Sequence, residues 1–247
     1  MIDIHTHILP NLDDGSQSVE ESLDMAVIAV ESGVDTLVCT PHANQKRRFE
    51  NYYSQRLVNH FEWFRRIVRE ERIPLHLLLG MEIFSTDDAG EMILDRKLIS
   101  LNHSGYYLVE FPFQAPAEEI TRQLKRIFMA NGRPVVAHPE RYFCVQSNPR
   151  LAYEWGQMGC LLQMNKGSVF GNFGRGAYEV SQTLLDYNLI SCVATDAHSP
   201  EHRNTYMADI WAYLEQQFGE EMAYRLTTEN PARILEGRGV RFRGLEP

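Results

Sequence analysis

The chain has no apolar run approaching the roughly 18 residues of a membrane span, so no membrane insertion is expected. Basic charge is also in short supply. Lys and Arg number 24 against 33 Asp and Glu, and the net charge of −9 argues against nucleic acid or an anionic membrane as the main partner. Only four cysteines occur, Cys39, Cys144, Cys160 and Cys192, with no Cys-x-x-Cys and no framework spacing. Three of them lie in or beside apolar strand-like runs, so buried, reduced thiols in a reducing compartment are expected. No linker, repeat or low-complexity segment interrupts the sequence. No basic, apolar leader precedes MIDIH, and a cytoplasmic location is expected.

What is present is ordinary globular material, 44% hydrophobic and 23% charged over 247 residues, enough for one α/β barrel domain spanning 1–247. Strands are predicted at Ile2–His5, Thr36–Thr40, Leu75–Met81, Tyr106–Glu110, Pro134–Ala137, Leu161–Asn165 and Ile190–Thr195. Helical stretches alternate with them. Ser18 and Glu21 form a capping box before LDMAVIAVES, and Gly33 closes that helix. Tyr52 to Arg72 carries Phe61, Phe64, Ile67 and Val68 on one side, and Ala117 to Asn131 stops at Gly132. Further helices are predicted at Pro149–Met158, Tyr178–Tyr187, Thr205–Phe218 and near Asn230–Leu235. Repeated strand and helix favour parallel pairing, and a closed or nearly closed ring fits better than an open sheet. The Gly- and Arg-rich stretch Gly237 to Pro247 is expected to be loosely held.

The reason for preferring a ring is chemical. Nearly every predicted strand ends in a metal-binding side chain: His5 and His7, His42, Glu82, Glu110, His138, and Asp196 with His198, while Asp14 follows the first strand. His5 and His7 are two apart on a strand and leave the same face, and Asp196 and His198 repeat that spacing at the last strand. A barrel gathers such residues at one end. Each pair alone is weak, because HxH and DxH arise by chance, and the competing reading makes them capped core histidines and surface acids. Asp14 sits in a DDG turn signal, where Asp13 could serve instead. His60, His76, His103 and His202 have no strand-end position and are read as ordinary.

Nine such residues suggest a polynuclear site and a hydrolase. Imidazoles and carboxylates without thiolate suit Mn²⁺, Fe²⁺ or Zn²⁺. With three divalent ions and a bridging hydroxide, the pocket would carry about +1 and attract an anion.

In order, these residues resemble the PHP (polymerase and histidinol phosphatase) superfamily. Within it the chain is similar to the bacterial manganese-dependent protein tyrosine phosphatases of capsule and exopolysaccharide operons. The matching stretches are MIDIHTHILPNLDDGS, GMEI, YYLVEF, AHPERY, QMN and ATDAH, spread over nearly the whole length. The resemblance implies a distorted (β/α)7 TIM-like barrel with a trinuclear metal centre, holding Mn²⁺ or alternatively Fe²⁺, Zn²⁺, Co²⁺ or Mg²⁺. The implied ligands are His5, His7, Asp14, His42, Glu82, Glu110, His138, Asp196 and His198. Arg141 matches the family's phosphate-binding arginine, and Arg203 falls where a second is expected. The implied substrate is phosphotyrosine on an autophosphorylating bacterial tyrosine kinase of polysaccharide synthesis and export. Segments 46–53 and 166–176, where substrate contacts are expected, carry no fixed motif.

An aryl phosphate is chemically reasonable. A phenolate has a pKa near 10 and leaves with little protonation, so metals and arginines without a dedicated acid would favour it. A small phosphomonoester such as histidinol phosphate remains a rival. Cys144 to Arg150 is formally Cys-x5-Arg, the length of a thiol phosphatase signature, but lacks the glycines that let backbone N–H groups surround a phosphate. A metal-stabilised regulatory barrel without catalysis is the third alternative.

Overall fold

The computed structural model describes residues 1–247. Nine strands run β1 (Ile2–Thr6), β2 (Thr36–Cys39), β3 (His42–Ala43), β4 (His76–Leu79), β5 (Glu82–Phe84), β6 (Tyr106–Glu110), β7 (Arg133–Ala137), β8 (Leu161–Asn165) and β9 (Cys192–Ala194). All ladders are parallel, in the orders β1-β2-β4 and β3-β5-β6-β7-β8-β9. Two of the seven predicted strand positions are therefore each split in two. The break after β2 falls at Pro41, which has no N–H to donate. Its counterpart falls at Gly80, where an added Cβ would stand 2.9 Å from Leu101. Hydrogen bonds from Gly80 N to Cys39 O (2.9 Å) and Glu82 N to Pro41 O (3.2 Å) carry the pairing across the gap.

The first and last strands share no ladder. They meet through a bridge between Thr6 and Ala197, with His7 N donating to Ala197 O at 2.8 Å and Asp196 N to His5 O at 2.9 Å. The distorted TIM-like architecture expected from the sequence is thus what the chain adopts, with the seven strand positions, two of them split, following one another in chain order.

Helices cover the outside. Val19–Glu31 begins at Ser18, whose hydroxyl accepts from Glu21 N, while Glu21 reaches back to Gln17 N at 2.7 Å. It ends before Gly33, at φ +89°, a conformation costly for a residue with a Cβ. Gln55–Glu70 buries Phe61, Phe64 and Val68 of the predicted side together with Leu57, while Ile67 is only half-buried, and Ala117–Met129 buries Ile120, Leu124 and Ile127. Boundaries moved inward at several ends, but Arg175–Asp186 starts three residues before the predicted Tyr178. The short helices Ala89–Leu94, Phe143–Ser147 and Glu220–Tyr224 were not predicted, being too brief for periodicity to register.

Two apolar layers result. Fifty buried residues fill the space between strands and helices, with Trp155, Phe64 and Phe111 among the largest. Twelve others, including Ile4, Val38, Leu108, Val135, Leu161, Cys192 and Ala194, plug the ring interior. Strand alternation then decides what lies above the plug. On β6, Tyr106 and Leu108 belong to the plug and Glu110 follows on the same face. On β8, Leu161 belongs to it and Gln163 and Asn165 follow. In β1 the register shifts between Asp3 and Thr6, and such an irregularity re-aims side chains: Ile4 joins the plug while His5 reaches Gln163.

The terminal stretch Gly237 to Pro247 has no regular element, but it has contacts. Leu245 N donates to Tyr187 O at 2.8 Å, Tyr106 OH donates to Arg238 O at 3.0 Å, and the Phe242 ring lies where a Cβ on Gly156 would stand. All four cysteines are free, with Cys39, Cys160 and Cys192 buried.

Candidate metal centre

The strand ends deliver all nine expected residues to one polar cavity and its floor. The cavity holds about 270 Å³ and is walled by Asp14, His42, Glu82, Glu110, His138, Asp196 and His198, with His5 and His7 fully buried beneath. Their donor atoms fall into three overlapping groups, each with all atoms within 4.8 Å. One comprises His5, His7, Glu82 and Asp196; another His42, Glu82 and Glu110; the third His7, Asp14, His42 and His198. His138 joins through Glu82, its Nε2 lying 2.9 Å from Glu82 Oε1. Glu82 is shared by two groups and lies at the centre of the set.

The donor chemistry fits divalent cations. His5 Nε2 and His7 Nε2 face one another at 3.3 Å, and each also has Asp196 Oδ1 within 3.5 Å. Glu82 Oε2 is buried and accepts no hydrogen bond, although His7 and His42 nitrogens lie 3.2 and 3.0 Å away. A shared cation satisfies such a convergence of lone pairs. Burial would raise the Glu82 carboxyl, but the charges of His5 and His42 outweigh it and hold the group well below the usual carboxylate range. Asp196 behaves in the same way, with burial offset by His5 and Arg203.

Two strand ends are bent to aim their side chains. His138 has φ +37° and Asp196 φ +52°, left-handed conformations that residues with a Cβ adopt at a cost. His138 directly follows β7, and Asp196 follows β9 with Thr195 between them.

The two aspartates of the DDG turn divide their work. The Asp13 side chain is 1% exposed and lies behind the site. Its Oδ2 is 2.7 Å from His7 Nδ1 and accepts from His42 N at 2.8 Å, and Oδ1 accepts from Gly15 N at 2.9 Å. Asp14 is at the mouth, its Oδ1 3.3 Å from His42 Nε2 and 3.6 Å from His198 Nε2.

Arg141 and Arg203 line the same cavity and both approach Asp196 Oδ2, at 3.6 and 2.5 Å. The Arg141 guanidinium lies between the rings of Phe113 and Phe173, 4.4 Å from each centroid. Phe173 comes from the 166–176 segment, and a Cβ on Gly167 would stand 2.7 Å from its ring, so glycine makes the seat. The other loop contributes Arg48, 3.1 Å from Asp14 Oδ2, and Phe49, stacked on His42 at 5.5 Å. Just ahead of it, Gln45 donates to Glu110 Oε1 at 2.7 Å. Arg48 and Phe49 carried no signal in sequence beyond membership of a non-motif loop, and Gln45, just outside it, carried none. Lys166 turns away toward Asp209, 3.0 Å distant.

Cys144 is not among the cavity-lining residues. It sits half-buried in Phe143–Ser147, and burial raises its thiol rather than activating it. No helix is long and apolar enough to cross a membrane.

The sequence pattern of the family described as "Capsular polysaccharide synthesis, CpsB/CapC" matches residues 1–236. Tyrosine-protein phosphatase YwqE of Bacillus subtilis (strain 168) is 36% identical over 244 residues, covering 97% of this chain and 93% of the relative. Tyrosine-protein phosphatase CpsB of Streptococcus pneumoniae is 32% identical over 240 residues, covering 95% of this chain and 98% of the relative. A crystal structure from work on YwqE and CpsB, described there as unique metal-dependent tyrosine phosphatases, superposes with a TM-score of 0.93 at 35% identity, over 100% of this chain and 99% of that one. A putative histidinol phosphatase from Listeria monocytogenes is similar in fold alone, with a TM-score of 0.51 and 11% identity over 82% of this chain and 97% of that one.

Proposed function

The chain belongs to the CpsB/CapC family of capsular polysaccharide synthesis, and from that premise we propose that it is a metal-dependent protein tyrosine phosphatase. The observation that carries the reading is the convergence of three donor groups on Glu82, His7 and His42, with two arginines bordering the same cavity. His5, His7, Glu82 and Asp196 would hold one ion, His42, Glu82, Glu110 and His138 a second, and His7, Asp14, His42 and His198 a third. Mn²⁺ is the proposed metal, and the imidazole and carboxylate donors supporting it also accept Fe²⁺, Zn²⁺, Co²⁺ or Mg²⁺. The bound ions would supply an acidified water as nucleophile and positive charge beside the phosphoryl oxygens.

The chain's own residues do the rest. Arg141 and Arg203 grip phosphoryl oxygens through paired N–H groups and orient phosphorus toward the metal cluster. Phe113 and Phe173 hold the Arg141 guanidinium in place. The phenolate departs with little protonation, so no dedicated acid is required. The proposed substrate is phosphotyrosine on an autophosphorylating tyrosine kinase of polysaccharide synthesis, acted on in the cytoplasm by one domain spanning 1–247. A net charge of −9 supports a protein rather than a nucleic acid as partner.

The test is hydrolysis of p-nitrophenyl phosphate, a phosphotyrosine peptide and histidinol phosphate by purified protein, with EDTA and then with Mn²⁺ restored. Loss and recovery, with the peptide preferred, is expected. Chelator-resistant turnover or a preference for histidinol phosphate would overturn the reading.

A further inference from the structure

Strand β8 contributes no residue to the three donor groups, yet its two buried amides join a ligand on β1 to one just beyond β9. His5 Nδ1 is 2.8 Å from Gln163 Oε1; Gln163 Nε2 donates to Asn165 Oδ1 at 2.9 Å; Asn165 Nδ2 donates to Asp196 Oδ2 at 2.6 Å. All four side chains are at most 2% exposed, so water does not compete.

The direction of this chain is not free. Asp196 is a carboxylate and can only accept, so Asn165 must present its NH₂. Its oxygen then faces Gln163, which must donate, leaving Gln163 Oε1 to face His5. An acceptor there requires His5 Nδ1 to carry hydrogen, and the lone pair of His5 is confined to Nε2. That atom stands 3.3 Å from both Glu82 Oε1 and Asp196 Oδ1. At the other end, Asn165 shares Asp196 Oδ2 with Arg203 and Arg141, which leaves Oδ1 toward His5 and His7.

We propose that Gln163 and Asn165 form an amide relay that sets the ligating nitrogen of His5 and divides Asp196 between the metal donors and the phosphate-facing arginines. Both are positioning residues, acting through His5 and Asp196. The proposal rests on the metal-binding part of the functional reading. Outer hydrogen bonds of this kind are worth about 10–100-fold in metal affinity.

The experiment measures Mn²⁺ affinity and stoichiometry by competition with a chelator, alongside thermal melting, for wild type, Gln163→Leu, Gln163→Glu and Asn165→Asp. Gln163→Leu is expected to lose about 10–100-fold in affinity at one ion. Gln163→Glu, which still accepts from His5 Nδ1, is expected to recover part of it. Asn165→Asp sets a second carboxylate against Asp196 Oδ2 and is expected to lose at least as much as Gln163→Leu. Folded Gln163→Leu with wild-type affinity would overturn the relay, as would Gln163→Glu no better than Gln163→Leu. If Gln163→Leu does not fold, Asn165→Asp decides by the same criterion. A wild type that takes up no Mn²⁺ overturns the metal reading and the relay with it. Normal uptake by wild type and all variants overturns the relay alone.

Discussion

The Asp13 carboxylate lies 2.7 Å from His7 Nδ1 and accepts from the backbone N–H of His42 at 2.8 Å, so one acid fixes residues from two strand ends. Burial would lower the His7 pKa, but the Asp13 charge outweighs it and holds the value well above the ordinary one. A histidine with its Nδ1 hydrogen committed to a carboxylate offers Nε2 to a metal. Asp13→Ala should therefore weaken Mn²⁺ binding by about 10–100-fold without removing any proposed ligand. Metal titration followed by activity at saturating Mn²⁺ checks this: activity restored by excess metal is expected, and unchanged affinity would contradict the role.

Metal and thiol mechanisms separate cleanly by substitution. His138→Ala and Asp196→Ala should abolish turnover of phosphotyrosine peptide, while Cys144→Ser should retain most of it. The Cys144 thiol is raised by burial and stands outside the cavity walls. Steady-state kinetics of the three variants decide, and the reverse pattern would move the chemistry to the cysteine.

Arg141 is held by two aromatic faces rather than by the metal donors alone. Charge-assisted hydrogen bonds contribute about 1.5–3 kcal/mol each, so Arg141→Ala should raise the inhibition constant for inorganic phosphate by about 10–100-fold. Metal content, read by elemental analysis, should stay at the wild-type level. A loss of metal in this variant would show that Arg141 supports the centre instead.

His60 provides a pH test remote from the centre. Burial, with the nearby Arg56 charge adding, lowers its pKa below the ordinary 6.5, and its Nε2 is buried without a partner. The unfolded chain then takes the proton more readily than the folded one. The stability conferred by neutral His60 is fully present above pH 6.5 and is lost as pH falls through the lower folded value. Wild type should lose stability faster than His60→Gln between pH 7 and pH 5, as followed by urea denaturation. Parallel curves for the two proteins would contradict this.

Much of the site was legible because strands have a period of two. His5 and His7 share a face by spacing alone, and Glu110 follows from Tyr106 and Leu108 by the same count. The helix Val19–Glu31 was legible from its Ser18 cap and Gln55–Glu70 from its apolar face, whereas the Ser54 cap that sets the start of the second was not read from sequence. Short elements such as Phe143–Ser147 were not, since five residues scarcely complete one turn of a periodic pattern. Asp13 and Asp14 were indistinguishable in sequence, because adjacent acids in a turn differ only in which way the folded loop points them.

Sequence alone determined the alternation of strands and helices and the delivery of a histidine or carboxylate at nearly every strand end, since both depend on local spacing. Tertiary structure decided what long-range contact decides. It split the strands at Pro41 and Gly80, turned Asp13 behind His7, and set Phe173 on Gly167 beside Arg141. It also joined β8 to β1 and β9 through Gln163 and Asn165. Gln163 and Asn165 are far along the chain from His5 and Asp196, as Phe173 is from Arg141, and hydrogen-bond direction and ring stacking act only once the barrel brings them within a few ångströms.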